Sequence, residues 1–418
     1  MSDRPHVVIV GGGFAGLDAA KALRKAPVDV TIIDRHNHHV FQPLLYQVAT
    51  AALSPGDIAS PIRWILRHQS NVRTLLATVT AVDAPNNAIV LDDGARIRFD
   101  YLVLAPGAGQ SYFGRDDWAK FAPGLKTLDD ALALRRRMLL AFEEAEREVD
   151  PARRRHLLTF VLIGGGPTGV ELAGALSEIA RHTLRAEFDN IDPESARIVL
   201  IEAGPTILPS FPEKLRASAR RALRKLGVEV WENARVTDVT ENAVVVGDDV
   251  VPAHTIMWAA GVAGAPLGKS LNVPLDRAGR VIVNEDLSVP GHPHIFVAGD
   301  LAGFTHQGGK QLPGVAQVAK QQGKHAAHNI ARRLAGDVTA PFHYRDPGNM
   351  ATIGRAHALA DFGWARVAGF AGWILWLFVH IMFLVGFRNR LSVLLQWGVS
   401  YLTYQRSVRL ITGNTAQS

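Results

Sequence analysis

Apolar runs of strand length alternate with helical stretches along most of the chain, and each run stops near glycine, proline or an acid. The first, Val7 to Val10, opens onto Gly11-Gly12-Gly13, and VDVTIID follows one helix later and ends in Asp34. FDYLVLAPGA (Phe99 to Ala108) is another, running into Pro106-Gly107. A charged stretch from Thr127 to Val149 predicts a long helix. Beyond it the pattern restarts, with a strand at Thr159–Ile163, Gly164-Gly165-Gly166, then ARIVLIE, VEVWE and HTIMWAAGV. HPHIFVAGDLAG (His292 to Gly303) predicts a strand and a sharp turn, followed by a helix from Pro313 to about Leu334. Strands alternating with helices predict an α/β protein built on two doubly wound sheets, the second inserted in the first. From about Tyr344 aromatic and apolar residues take over, and no acid follows Asp361. The expected division is 1–118 with 286–343, then 119–285, then 344–418.

The two glycine clusters share one spacing, Gly11-x-Gly13-x-x-Gly16 and Gly164-x-Gly166-x-x-Gly169. Each joins a strand to a helix, so the helix N-terminus presents unpaired N–H groups where a pyrophosphate binds. Each is followed by a strand ending in an acid, Asp34 and Glu202, where a carboxylate bonds an adenosine ribose hydroxyl. Glu202 comes later than the usual spacing of about 20 residues. The polar stretch HTLRAEFDNIDPESA fills that gap as a longer helix and loop. An acid here repels a 2′-phosphate, so Glu202 favours NAD over NADP. Both acids also read as ordinary strand-end residues; their repetition behind two glycine turns argues against that.

At 418 residues, 48% hydrophobic and 20% charged, the chain has the composition of a globular protein of two to three domains. The net charge of +6 is scattered, and no basic run with interleaved aromatics points to nucleic acid. No secretory leader is expected, because MSDRPH is polar. The absence of cysteine excludes disulfides, thiolate metal sites, iron–sulfur clusters and cysteine nucleophiles. The run His36-Asn37-His38-His39 lacks the spacing of a zinc site, so no metal is expected.

With GGGFAG, LVLAPGA, GGGPTGVELA and VAGD in that order, the chain resembles the two-dinucleotide-binding-domain flavoprotein reductases. HHVFQPLLYQVAT, MWAAGV, PGVAQVAKQQG and VHIMFLVGFRNR make it similar to one branch, the type II, non-proton-pumping NADH:quinone oxidoreductases. The resemblance covers essentially the whole length. It implies FAD on Gly11, Gly12, Gly13, Phe14, Ala15, Gly16 and Asp34, with Val79 touching the adenine through its backbone. It also implies Asp300, after Gly299, at the ribityl or pyrophosphate region, and Gln317 and Val318 at the cofactor. NADH would lie on Gly164, Gly166, Gly169, Glu202 and Gly261, with its nicotinamide against the flavin. With no cysteine pair to relay electrons, the flavin would reduce a diffusible acceptor directly.

Glu171 falls in the first turn of the second glycine helix, a position that the helix macrodipole alone favours. The resemblance implies a catalytic role there. Gln317 and Gln321 stand four apart on one helical face, opposite the packing stripe Ala319, Gly323, Ala326 and Ile330. They read as a solvated pair from spacing alone; the resemblance implies a quinone pocket, since amides bond carbonyl and hydroxyl oxygens alike. Gln42-Pro43-Leu44-Leu45 is expected to run close to the isoalloxazine ring.

Val367 to Phe387 forms an apolar stretch interrupted only by His380, and as a helix its 21 residues would span roughly 31 Å; Gly369, Gly372 and Gly386 weaken it, and a core helix is the alternative. Trp397, Tyr401 and Tyr404 share a helical face suited to a membrane interface, and Arg388, Arg390, Arg406 and Arg409 would meet anionic headgroups. The expectation is a helical segment attaching the protein to the cytoplasmic side of the cell inner membrane through residues 367–411, monotopic, with a single span as the alternative. The implied partners are quinone and the lipid bilayer surface, with a homodimer as an admissible assembly. Two other classes stay open here: a soluble NADH:acceptor reductase serving ferredoxin or oxygen, and a non-catalytic FAD- and NAD-binding redox sensor.

Overall fold

The computed structural model describes residues 4–384, 387–403 and 408–411. They form two compact units, one of residues 4–39, 60–109 and 262–347, the other of 40–59, 110–261 and those from 348 onward.

The first unit is built on a six-stranded sheet in the order Ser288–Val289, His292–Val297, Tyr101–Leu104, His6–Val10, Asp29–Asp34, Val72–Leu76. All neighbours are parallel except the first pair. Val10 lies opposite both Ile33 and Leu104, so the first glycine turn, Asp34 and Ala105 leave the sheet at one edge. Ile9, Ile32, Leu102 and Phe296 are fully buried, as expected of strands covered on both faces. Helix Ala316–Leu334 packs on helix Phe14–Ala22 so closely that a Cβ on Gly323 would stand 2.0 Å from the Ala15 carbonyl oxygen. The predicted stripe is therefore the packed face: Ala319, Gly323, Ala326 and Ile330 are all buried. The helix starts at Ala316, three residues after the expected Pro313.

The second unit holds a four-stranded parallel sheet in the order Val228–Trp231, Arg197–Ile201, Thr159–Ile163, Thr255–Trp258. Helix Leu128–Arg147 begins at Thr127, whose side chain accepts from the Asp130 N–H in a reciprocal capping box. Helix Pro167–Glu178 leaves the second glycine turn and runs on through a π turn, Ile179–Thr183. That extension and the loop after it carry the chain to Arg197, which accounts for the late Glu202.

The C-terminal residues form an antiparallel sheet of Asn349–Thr352, Ala358–Asp361 and Arg366–Gly369, then helices Phe370–Phe383 and Phe387–Thr403. The apolar stretch 367–387 is thus not one helix. Its first three residues belong to the last strand, and Gly369, at φ +79°, turns the chain before the helix begins. Fourteen residues span about 21 Å, short of a bilayer core of about 30 Å. Gly372 seats this helix on the sheet: a Cβ there would lie 2.5 Å from the Ala358 carbonyl oxygen. No helix among the described residues is long and apolar enough to cross a membrane.

Candidate active site

Both glycine turns are clasped by the acid that ends the next strand. In the first unit the Gly12 N–H donates to Asp34 at 2.5 Å, and the same carboxylate accepts the His36 N–H at 2.7 Å. In the second, Gly165 donates to Glu202 at 2.7 Å and Gly204 at 2.6 Å. The matching holds in detail. Gly11 and Gly164 have φ of +100° and +115°, and a Cβ on Gly16 or Gly169 would sit 1.8 or 1.9 Å from the carbonyl oxygen of its turn. Gly13 and Gly166 cap their helices with no side-chain hydrogen bond, and a Cβ built on either meets nothing within 4 Å. Open space thus faces the uncapped N–H groups of both helices, the cradle an anionic pyrophosphate requires.

Two further residues complete the first turn, one from the histidine run and one, Gln322, that the sequence reading missed. His39 is buried and its Nδ1 donates to the Gly12 carbonyl oxygen at 3.0 Å. Burial pushes its pKa down to about 4, so the ring is neutral. Gln322, also buried, accepts the Gly299 N–H on Oε1 at 2.8 Å and so holds the left-handed residue (φ +77°) before Asp300. Its only signal was adjacency to Gln321. Val318 is buried, Gln317 half-buried, and Val79 opens the strand Val79–Asp83. Gln321 clasps a main-chain segment: its amide donates to the Arg345 carbonyl at 2.9 Å and accepts the Arg345 N–H at 3.0 Å.

In the second unit, Gly261 (φ +75°) lies against Phe113 and accepts the Ser111 N–H at 3.4 Å. Glu171 lines a cavity of about 100 Å³ with Tyr46, Gln47, Thr50, Glu178, Trp376 and Trp397. The Thr352 N–H donates weakly to its Oε1, at 3.4 Å, and burial pushes its pKa up to about 8. At neutral pH it is therefore an acid holding its proton. The close approach that brings Thr352 there runs through Gly174, where a Cβ would stand 2.8 Å from the Gly354 nitrogen.

The C-terminal helices meet this unit through polar groups. Trp397 donates from Nε1 to Gln47 Oε1 at 2.7 Å, and Ser392 and Gln396 donate to Asp57 at 2.9 and 3.1 Å. Trp397 is half-buried and bonded to the protein through Gln47; the Tyr401 side chain and Tyr404 lie outside the described residues. Of the expected headgroup arginines, Arg390 donates to the Leu384 carbonyl at 2.8 Å and Arg409 pairs with Glu187. The Arg388 side chain and Arg406 lie outside the described residues. The sequence pattern showed the cations but not the nearby acceptors.

Residues 5–323 match the pyridine nucleotide-disulphide oxidoreductase family, and 347–405 match the NDH2 C-terminal domain. The chain is 47% identical to the type II NADH:quinone oxidoreductase Ndh of Mycobacterium tuberculosis, over 99% of this chain and 91% of that one. The chain belongs to the type II NADH:quinone oxidoreductases. Identity to NdhA of the same organism is 46%, over 98% of this chain and 90% of that one. The fold also matches the structure of NDH2 from Plasmodium falciparum in complex with NADH, with a TM-score of 0.88, 19% identity, and coverage of 98% of this chain and 100% of that one. Membership sets aside the ferredoxin- or oxygen-reducing and sensor alternatives.

Proposed function

We propose that this chain is a non-proton-pumping FAD enzyme that oxidises NADH and reduces a membrane quinone, with FAD on the first unit and NADH on the second. The observation that carries the reading is the repeated clasp of a glycine turn by the following acid, Asp34 on Gly12 and Glu202 on Gly165. Bound there, FAD would supply the hydride-accepting and two-electron chemistry that links NADH to quinone.

The residues do the positioning. Gly11 to Gly16 leave room for the pyrophosphate, Asp34 holds the adenosine ribose, Val79 meets the adenine, and Asp300 meets the ribityl chain, with Gln317 and Val318 alongside. On the second unit Gly164, Gly166 and Gly169 receive the nicotinamide nucleotide, Gly261 lets it approach, and Glu202 excludes a 2′-phosphate by charge. Glu171, protonated at neutral pH, supplies a proton to the quinone step. Gln317 and Gln321 bond the quinone oxygens, Gln321 while retaining Arg345.

Attachment to the membrane is monotopic and uses the outer face of the C-terminal helices. Ile374, Phe378 and Met382 on one helix, and Leu391, Leu394 and Leu395 on the next, are exposed at spacings of three, four or one. These helices fix their opposite faces on the protein through Gly372, Ser392, Gln396 and Trp397. The test is the visible spectrum of the purified protein: NADH should bleach the flavin band and a quinone should restore it. A spectrum without flavin, or one that NADH leaves unchanged, overturns the reading.

A further inference from the structure

Reduction of a quinone by NADH consumes one proton from water per turnover, in addition to the hydride: NADH + quinone + H⁺ gives NAD⁺ + quinol. Glu171 is half-buried against a cavity, so the proton it gives up is replaced by way of that cavity. Glu171 and Glu178 both line this cavity. Seven residues apart on helix Pro167–Glu178, they share a face and stand about 10 Å apart along the axis. The volume of about 100 Å³ leaves room for at least about three waters, at roughly 30 Å³ each in the liquid, enough to bridge that distance. Trp376, also on the lining and only 2% exposed, carries an indole N–H with no hydrogen-bond partner among the described residues, a donor for such a water. The other titratable or charged groups on the lining are Tyr46 and Arg355; Trp373, Trp376 and Trp397 of the C-terminal helices do not titrate. The Glu178 carboxylate is fixed in place by the Arg355 main-chain N–H.

We propose that Glu178 relays protons through cavity water to Glu171. In each turnover the Glu171 O–H breaks and its proton goes to an oxygen of the quinone as it is reduced, forming one O–H of the quinol. A cavity water then protonates the Glu171 carboxylate and recovers a proton that the Glu178 side chain passes on from solvent. No electrons move in these steps. The proposal rests on the reading of Glu171 as proton donor.

The test uses Glu178→Gln, which keeps the side-chain length and an oxygen to accept the Arg355 N–H but carries no exchangeable acid. In the oxidised holoenzyme the protonated Glu171 carboxyl gives a C=O stretch, identified by its loss in Glu171→Gln. On transfer to deuterated water, its shift should be about tenfold slower or more in Glu178→Gln. The quinone half-reaction should slow similarly, the NADH half-reaction should not, and added formate should restore the rate. Unchanged exchange in Glu178→Gln overturns the relay, as does a wild-type spectrum lacking the carboxyl band. If Glu171→Gln leaves the quinone half-reaction intact, the donor reading itself fails and the relay falls with it. Slow quinone reduction in Glu171→Gln with normal exchange in Glu178→Gln defeats the relay alone.

Discussion

Gln322 Oε1 accepts the main-chain N–H of Gly299 at 2.8 Å, and this bond ties the long helix of the first unit to the turn that presents Asp300. Gln322→Leu leaves that half-buried N–H without its acceptor, at a cost of about 1 kcal/mol. The purified variant should show a lower ratio of flavin to protein absorbance and a lower melting temperature. Full flavin content would show that the turn holds without Gln322.

Glu202 has both oxygens engaged by N–H groups yet keeps lone pairs for a ribose hydroxyl. Wild-type protein should therefore prefer NADH strongly, and Glu202→Ala should narrow the preference by raising the KM for NADH while the flavin content stays normal. Steady-state kinetics with both nucleotides decides it, and equal use of NADPH by the wild type would sink the assignment.

For Glu171 the folded pKa, about 8, lies above the ordinary carboxyl value of 4.5. The native state therefore binds more protons than the unfolded chain between about pH 4.5 and 8, and stability falls as pH rises through that window. Above about pH 8 the carboxylate is charged in both states and the decline ends. Glu171→Gln should remove this contribution, so its melting temperature should overtake the wild type's as pH passes from 6 to 9. Parallel curves for the two proteins would show that Glu171 is ionised throughout.

Of the glutamine pair, Gln317 offers the cleaner test, because Gln321 also holds both polar groups of Arg345. Gln317→Leu should slow quinone reduction at least tenfold with little effect on the NADH half-reaction, resolved by stopped flow. Gln321→Leu should do the same and also lower the melting temperature, by the loss of two hydrogen bonds worth roughly 1 kcal/mol each. Equal loss in both half-reactions would assign the pair to flavin positioning.

Much of the scaffold could be read from the chain because it depends on local pattern. The strand at Thr159–Ile163 lies where the apolar run predicts it, and the capped helix after Thr127 starts at the expected residue. Asp34 and Glu202 reach their glycine turns because strand order in a doubly wound sheet fixes which strand end lies beside which turn. What escaped depends on contacts far apart in sequence. Nothing near His39 announces that its ring meets Gly12, and nothing in WILWLFVHIM says that Gly372 seats that helix on Ala358. Hydropathy measured the apolar length correctly, and Gly369, read as a weak point of the helix, is where the chain turns.

Leu391, Leu394 and Leu395 are 47, 51 and 61% exposed on the helix whose Ser392 and Gln396 hold Asp57. Changing the three leucines to Ser should release the protein from liposomes in a co-sedimentation assay while NADH still reduces the flavin. This is a better probe than cutting before Gly363, which would also remove the strand Arg366–Gly369 and the helix resting on that sheet. Retained binding would move the attachment surface elsewhere.

The closure of the first unit by helix Ala316–Leu334 sets an order on biosynthesis. Strand His292–Val297 joins the sheet beside Tyr101–Leu104, and Gly323 comes to rest on Ala15. A ribosome must therefore make residues 110–261 of the second unit before the first can finish folding. At about 5–20 residues per second, roughly 220 residues take some 10–45 s. Through that interval the nascent glycine turn at Gly11 has no Gln322 to fix Gly299 and no helix behind Ala15. Closure of that turn is thereby deferred until most of the polypeptide has emerged, and a chain stalled before Ala316 would leave the ribosome with the proposed flavin cradle unfinished.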